Sequence, residues 1–290
     1  NGVVDIAVQD EAEAVKVAKQ YLSYFQGSLT EWEVQDQRLL RNIIPENRLR
    51  IYDVRRVINT LADENSVLEI RAEFAPGMIT ALARIEGRAV GIVANNPSYL
   101  SGAIDSNCAD KAARFLQLMD AFDIPILSLC DTPGIMVGPE AEKTALVRHA
   151  ARMFVIGANL TVPYLTIVLR KGYGLGAQAM AGGGFKAGVF TVSWPTGEFG
   201  GMGLEGAVRL GYRKELEAID DLGERELAFQ QRVDVMYERG KGVNYATAFE
   251  IDGVIDPIDS RKWIVSALKS VPKESGRKGN SNKKRVVDTW

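Results

Sequence analysis

Two short glycine-bearing stretches carry residue types and spacings that can do chemistry. The first, Asp131-Thr132-Pro133-Gly134, follows the apolar run 124–130. The second, Arg170-Lys171-Gly172-Tyr173-Gly174-Leu175-Gly176-Ala177, follows the apolar run 164–169. Each sits where strand-like patterning gives way to helical patterning. The first N–H groups of a helix lack internal acceptors and form the positive end of its dipole. Glycine removes the Cβ that would hold a ligand away from those groups. Such a junction can hold a phosphate, or an oxygen that becomes negative during a reaction.

Other readings of the same residues compete. Gly172-x-Gly174-x-x-Ala177 matches the dinucleotide fingerprint, but it lies deep in the chain. The next acidic residue, Glu198, ends another glycine loop rather than a clean strand. Glycines can also serve tight turns alone. The clusters 181–184 and 198–203 lack the Gly-Lys-Ser/Thr of a phosphate loop. His149 is the only histidine, sits mid-helix and has no Ser or Cys nucleophile elbow beside it, so a structural role is the simpler reading. Cys130 ends a buried strand and reads as an inert core residue.

Two cysteines are too few for a disulfide scaffold or a zinc ribbon, no metal site is expected, and a reducing, cytoplasmic setting follows. Lys plus Arg number 35 and Asp plus Glu 37, for a net charge of −2, which argues against a dedicated nucleic-acid binder. The longest apolar stretch, 153–169, is broken by Asn159, Thr161 and Pro163 and is shorter than the ~20 residues of a bilayer span, so no membrane segment is expected. The chain starts without Met or an apolar leader, which reads as a cut inside a longer polypeptide. Arg38, Arg41, Arg48 and Arg50 lie close together: either a patch for an anionic ligand or ordinary solvated helix ends.

The elements that must position these loops follow from periodicity. Asp10 caps a helix over 8–25, and a short helix covers 53–62. A strand is expected at 68–74. Strands at 78–85 and 89–94 join through Glu86-Gly87-Arg88 as a hairpin. A helix at 109–122, a strand at 124–130, a helix at 141–156 and a strand at 164–169 come next. A loop at 170–176 leads to a short helix from Ala177. A strand at 189–194, a loop at 195–203, a helix at 214–239, a strand at 250–255 and a helix at 260–270 complete the series. Strand, glycine loop and helix alternate, which specifies an α/β class. The division is an N-terminal helical extension (1–52), one main domain (53–271) and a mobile basic tail (272–290).

Five segments, in order, carry a family resemblance: Ala94-Asn95-Asn96-Pro97, SGAIDSNCADKAARFLQLM at 101–119, Asp131-Thr132-Pro133-Gly134, Arg170 through Ala177, and Trp194-Pro195-Thr196-Gly197-Glu198. Together they resemble the C-terminal half of the carboxyltransferase (beta-type) of biotin-dependent acyl-CoA carboxylases, across roughly residues 10–270. The resemblance implies a crotonase (ClpP-like) superhelix of repeated ββα units. It implies carboxyl transfer from carboxybiotin, borne by a carrier domain, to the α-carbon of an acyl-CoA. The acyl α-proton passes to the biotin nitrogen, with no histidine, thiol or metal required.

By the same resemblance, two backbone N–H groups stabilise the ureido oxygen. Carried onto this chain they are Gly176 and Ala177, with Tyr173, Gly174 and Gly134 also lining the biotin site. Ala179, two residues on, is where the family helps set acyl length. Against the Arg-Lys-Ala-Tyr-Gly-Gly-Ala of many relatives, Leu175 reads as an extra residue, which leaves the donor register open by one position. The implied partners are an N-terminal carboxyltransferase half, biotin carboxyl carrier and biotin carboxylase components, and further copies of the chain. Two alternatives are a stand-alone hydratase or isomerase acting on CoA thioesters, and a non-catalytic assembly module.

Overall fold

The computed structural model describes residues 1–271 and 286–288. Helix α1 (Glu11–Ser23) starts at Asp10, whose carboxylate accepts from the Glu13 N–H at 2.8 Å. Helix α2 (Val54–Leu61) precedes strands β1 (Leu68–Ile70), β2 (Met78–Ile85) and β3 (Arg88–Asn95). The β2–β3 hairpin turns on Glu86 and Gly87, both left-handed (φ 50° and 72°), the pairing a two-residue hairpin requires. A Cβ on Gly87 would lie 2.1 Å from the Leu29 carbonyl oxygen, so only glycine fits there.

Repeating units follow. Helix α3 (Ser106–Ala121) leads to β4 (Ile126–Thr132). Helices α4 (Pro139–Glu142) and α5 (Leu146–Gly157) lead to β5 (Tyr164–Tyr173), and α6 (Gly174–Met180) leads to β6 (Phe190–Ser193). Strand β7 (Glu198–Gly200) and helices α7 (Leu204–Gly211), α8 (Arg213–Glu217), α9 (Leu222–Gly240) and α10 (Gly242–Thr247) come next. Strand β8 (Gly253–Val254) and helix α11 (Ser260–Ser270) close the series. The sheet runs β1-β2-β3-β4-β5-β6-β8, with β7 paired to β5. The first three strands are antiparallel and the rest parallel.

Strand β4 is buried along its whole length, and so is β5 apart from Lys171, as expected of parallel strands covered on both faces. One face packs α3, α5 and α6 through Phe115, Leu116, Met119, Met153 and Met180. The other packs α2 and α11 through Val57, Ile58, Leu61 and Ile264. Leu40, Ile43, Ile44 and Tyr52 of the 1–52 segment belong to this second core, whereas helix α1 has no buried residue. Of the tail read over 272–290, residues 272–285 and 289–290 lie outside the described residues. Asp288 pairs with Arg152 at 2.7 Å. Among the described residues no helix is long and apolar enough to cross a membrane.

Several expected elements divide or extend. The 141–156 helix breaks at left-handed Ala145 (φ 56°). The 214–239 helix breaks before Asp221, which caps α9 through the Glu224 N–H at 2.8 Å. The 170–176 loop vanishes, because β5 runs on to Tyr173 and α6 begins at Gly174. The 195–203 loop contains β7, whose three ladder partners are Lys171, Gly172 and Tyr173.

Helix α3, a main wall of the first core, begins at Asp105, whose carboxylate accepts from the Cys108 N–H at 2.8 Å. Asp105→Ala is expected to cost about 1 kcal/mol, read as a lower urea midpoint with an unchanged m-value.

Candidate functional site

Both glycine stretches leave the same end of the sheet. β4 and β5 pair in register from Ile126↔Tyr164 to Cys130↔Val168, then slip, so that Thr132 faces Gly172. The Asp131 carboxylate, at the slip, ties the two together. It accepts from the Tyr52 hydroxyl (2.8 Å), the Arg170 Nε (3.2 Å) and the Lys171 backbone N–H (3.1 Å), and lies 3.4 Å from the Lys171 ammonium. Arg170 also donates to the Arg48 and Arg50 carbonyls and stacks over the Tyr52 ring at 4.9 Å. The Lys171 ammonium donates to the Ser101 carbonyl at 2.7 Å. Burial pulls the Lys171 pKa down, opposed by the Asp131 charge; burial pushes the Tyr52 phenol well up, and the same charge adds to it.

Above this lock the loops touch through glycine. A Cβ on Gly176 would lie 2.7 Å from the Gly134 Cα, so the two backbones approach as only glycine permits. Gly134 itself has φ 124°, and its N–H donates to the Thr132 hydroxyl at 3.1 Å. Gly174 takes φ 55°, and a Cβ there would lie 2.6 Å from the Gly201 carbonyl oxygen.

Helix α6 begins at Gly174 with Tyr173 as its N-cap. In such a helix the first internal bond belongs to the Ala177 N–H and the Tyr173 carbonyl. The N–H groups of Gly174, Leu175 and Gly176 have no internal acceptor. Leu175 is 61% exposed, whereas Ala177 and Ala179 are wholly buried in the first core. Ala179 is thus packed in the core, and of the two exposed α6 side chains, Leu175 and Gln178, it is Gln178 that borders open space within the fold.

That space is a cavity of about 490 Å³ beside the first turn of α6. Gly172, Gly174, Gly200 and Gly201 line one side, and Phe185 and Tyr245 supply ring walls. Phe199 braces both rings, edge-on to Phe185 (5.5 Å) and stacked on Tyr245 (4.6 Å). Gln178, Arg239, Asn244 and Glu250 add polar groups. Residues from α9 onward escaped the sequence reading because no motif marks them; they arrive by tertiary folding alone.

Residues 1–286 match the family described as "Carboxyl transferase domain". The chain belongs to the carboxyl transferase domain family. It is 37% identical over 278 residues to the methylmalonyl-CoA carboxyltransferase 12S subunit of Propionibacterium freudenreichii subsp. shermanii, covering 92% of this chain and 52% of that one. It is 34% identical to the propionyl-CoA carboxylase carboxyltransferase subunit of Haloferax mediterranei, covering 98% of this chain and 56% of that one.

Among solved structures, a single-chain, multi-domain long-chain acyl-CoA carboxylase superposes with TM-score 0.87 at 55% identity, over 92% of this chain and 26% of that one. The transcarboxylase 12S structure, a hexamer, superposes with TM-score 0.82 at 35% identity, over 92% of this chain and 52% of that one. The chain thus spans about half the length of the curated relatives it matches. It shares the crotonase-type fold of carboxyltransferases.

Other candidate groups of this carboxyl transferase domain take structural places. His149 Nδ1 is 2.6 Å from Asp110 Oδ2, and Arg152 contacts the same carboxylate. Arg38, Arg41 and Arg48 pair with Asp36, Asp256 and Glu205, which uses up most of the positive patch. Burial raises the Cys130 thiol pKa and pushes Cys108 up to about 12, so neither is a ready nucleophile. Glu198 and Tyr173 meet in a sealed pocket under the loop. The phenol faces the carboxylate in a contact too loose to be a regular hydrogen bond, and neither group has another hydrogen-bond partner. Arg48 Nη1 lies 3.8 Å from Glu198 Oε2.

Proposed function

We propose that this chain is the biotin-side half of a carboxyltransferase active site, the C-terminal half that an N-terminal half completes. The observation that carries this reading is the first turn of α6, with uncommitted N–H groups, opening beside a cavity walled by glycines and two rings. A bicyclic cofactor with an apolar thioether edge and a urea edge fits these walls: rings for one edge, N–H donors for the other.

Carboxybiotin, when bound, supplies the transferable carboxyl group. The Leu175 and Gly176 N–H groups donate to its urea oxygen. Because the Asp131 lock and the Gly134–Gly176 contact hold them in advance, no reorganisation is needed as charge develops. Gly134, Tyr173 and Gly174 shape the main chain that presents these donors. Gln178, rather than Ala179, is the α6 side chain near the acyl group. Acyl-CoA sits against the N-terminal half. Carrier and biotin carboxylase components, and further copies of the chain, complete the enzyme.

A hydratase or isomerase would need a carboxylate within reach of substrate. Glu198, under the loop, is 1% exposed, so the carboxylate such an enzyme would have to use is Glu250, which lines the cavity. The test is to mix the chain with free biotin and methylmalonyl-CoA or malonyl-CoA, with and without a separately made N-terminal half. Decarboxylation is expected only with both halves. Turnover of an enoyl-CoA without biotin would overturn the reading. Self-association with no turnover in any mixture would leave an assembly module.

A further inference from the structure

β7 forms the floor under the last three residues of β5, with Lys171 opposite Glu198, Gly172 opposite Phe199 and Tyr173 opposite Gly200. Successive side chains alternate faces, so Tyr173 and Glu198 lie diagonally on one face of this pair. The Tyr173 ring lies over Gly200, where a Cβ would touch it at 3.4 Å. Arg48 reaches in from the N-terminal segment, pairs with Glu205 at 2.6 Å and leaves Glu198 at 3.8 Å.

Three polar oxygens are buried here, two on Glu198 and one on Tyr173; the phenol faces the carboxylate in a contact too loose to be a regular hydrogen bond, and none of the three has another hydrogen-bond partner. Burial pushes the Glu198 pKa up and Arg48 pulls it back; the nearby Tyr173, Asp131 and Arg170 also act on it. A buried carboxyl held only by an ion pair at 3.8 Å and a loose phenol contact opposes folding. A fold selected only for stability has an inexpensive alternative in a neutral side chain of the same shape.

We propose that Glu198 is a positioning residue for carboxyl transfer: acting through Tyr173 and Arg48, it sets the β5 main chain that enters α6, and it does so against fold stability. Because the next residues of that main chain carry the donors, a small displacement reaches the reacting centre undamped. The inference rests on the proposed carboxyltransferase reading, and its two readouts separate the two.

The experiment uses the assembled enzyme, both halves together, with Glu198→Gln, Tyr173→Phe and the double variant. Glu198→Gln is expected to melt at the same or a higher temperature, while kcat for decarboxylation falls about 10- to 100-fold with KM for biotin nearly unchanged. Tyr173→Phe is expected to lose a similar factor, and the double variant no more than the larger single loss. A lower melting temperature for Glu198→Gln together with reduced activity marks an ordinary structural residue and overturns the proposal. Unchanged kcat, or losses that multiply in the double variant, also overturn it. If the unsubstituted enzyme does not turn over, the carboxyltransferase reading fails instead, and the melting shift still reports on Glu198.

Discussion

Leu175→Pro is expected to lower carboxyl transfer about 10²- to 10³-fold, the cost of one lost oxyanion donor. Leu175 is the second residue of α6, and its side chain is 61% exposed, so little packing is lost. Proline is tolerated in a first helical turn, where no internal hydrogen bond is broken, yet it deletes the N–H. Leu175→Ala keeps that N–H and is expected to retain most of the activity. Gly176 is a poorer target: any Cβ there drives into the Gly134 backbone at 2.7 Å, so a loss would mix packing with chemistry. The measurement is decarboxylation by the assembled halves, with circular dichroism to verify the fold. Full activity in Leu175→Pro would move the donors off this position and return the role to Gly176 and Ala177.

The second large effect is on stability. Asp131→Ala is expected to cost about 3–5 kcal/mol, because it strands a buried guanidinium. Arg170 is buried, and Asp131 is the carboxylate it pairs with, at 3.1 Å. The Tyr52 hydroxyl and the Lys171 N–H lose their acceptor in the same step. Such a loss is a large share of a domain's whole stability, and the loops would separate with it. The measurement is urea unfolding of the variant against the unsubstituted chain. A loss under about 1 kcal/mol would mean that the pair behaves like an exposed one.

The reach of the sequence can be read residue by residue. Local signals carried well. Asp10 caps the helix read after it, because a carboxylate satisfies first-turn N–H groups wherever the helix lies; Asp53 and Asp105 do the same for α2 and α3, and the cap at Asp105 starts α3 at Ser106 rather than at 109. Glu86-Gly87 makes its hairpin because two left-handed residues suit few other structures. Boundaries carried less well. The stretch at 170–176 looked like a loop because its glycines and charges break the apolar run. β7, invisible in a glycine-rich sequence, pairs with it and extends the strand. That extension moves the start of α6 from Ala177 to Gly174 and, with it, the set of free N–H groups. Ala179 could not be oriented from sequence either, since which side of a seven-residue helix meets the core depends on what packs there.

By itself the chain's sequence determined its α/β class, its family and the two stretches that become the candidate site. These rest on local rules: periodicity, capping, turn chemistry and motifs read in order along the chain. Only the tertiary structure decided which atoms face one another. The Asp131–Arg170 lock, the Gly134–Gly176 contact, the Arg239 and Tyr245 walls and the buried Glu198–Tyr173 pair join residues up to about 75 positions apart. Their meeting is set by strand register and core packing across the whole domain. A one-residue slip leaves every local preference satisfied and changes which amide is free.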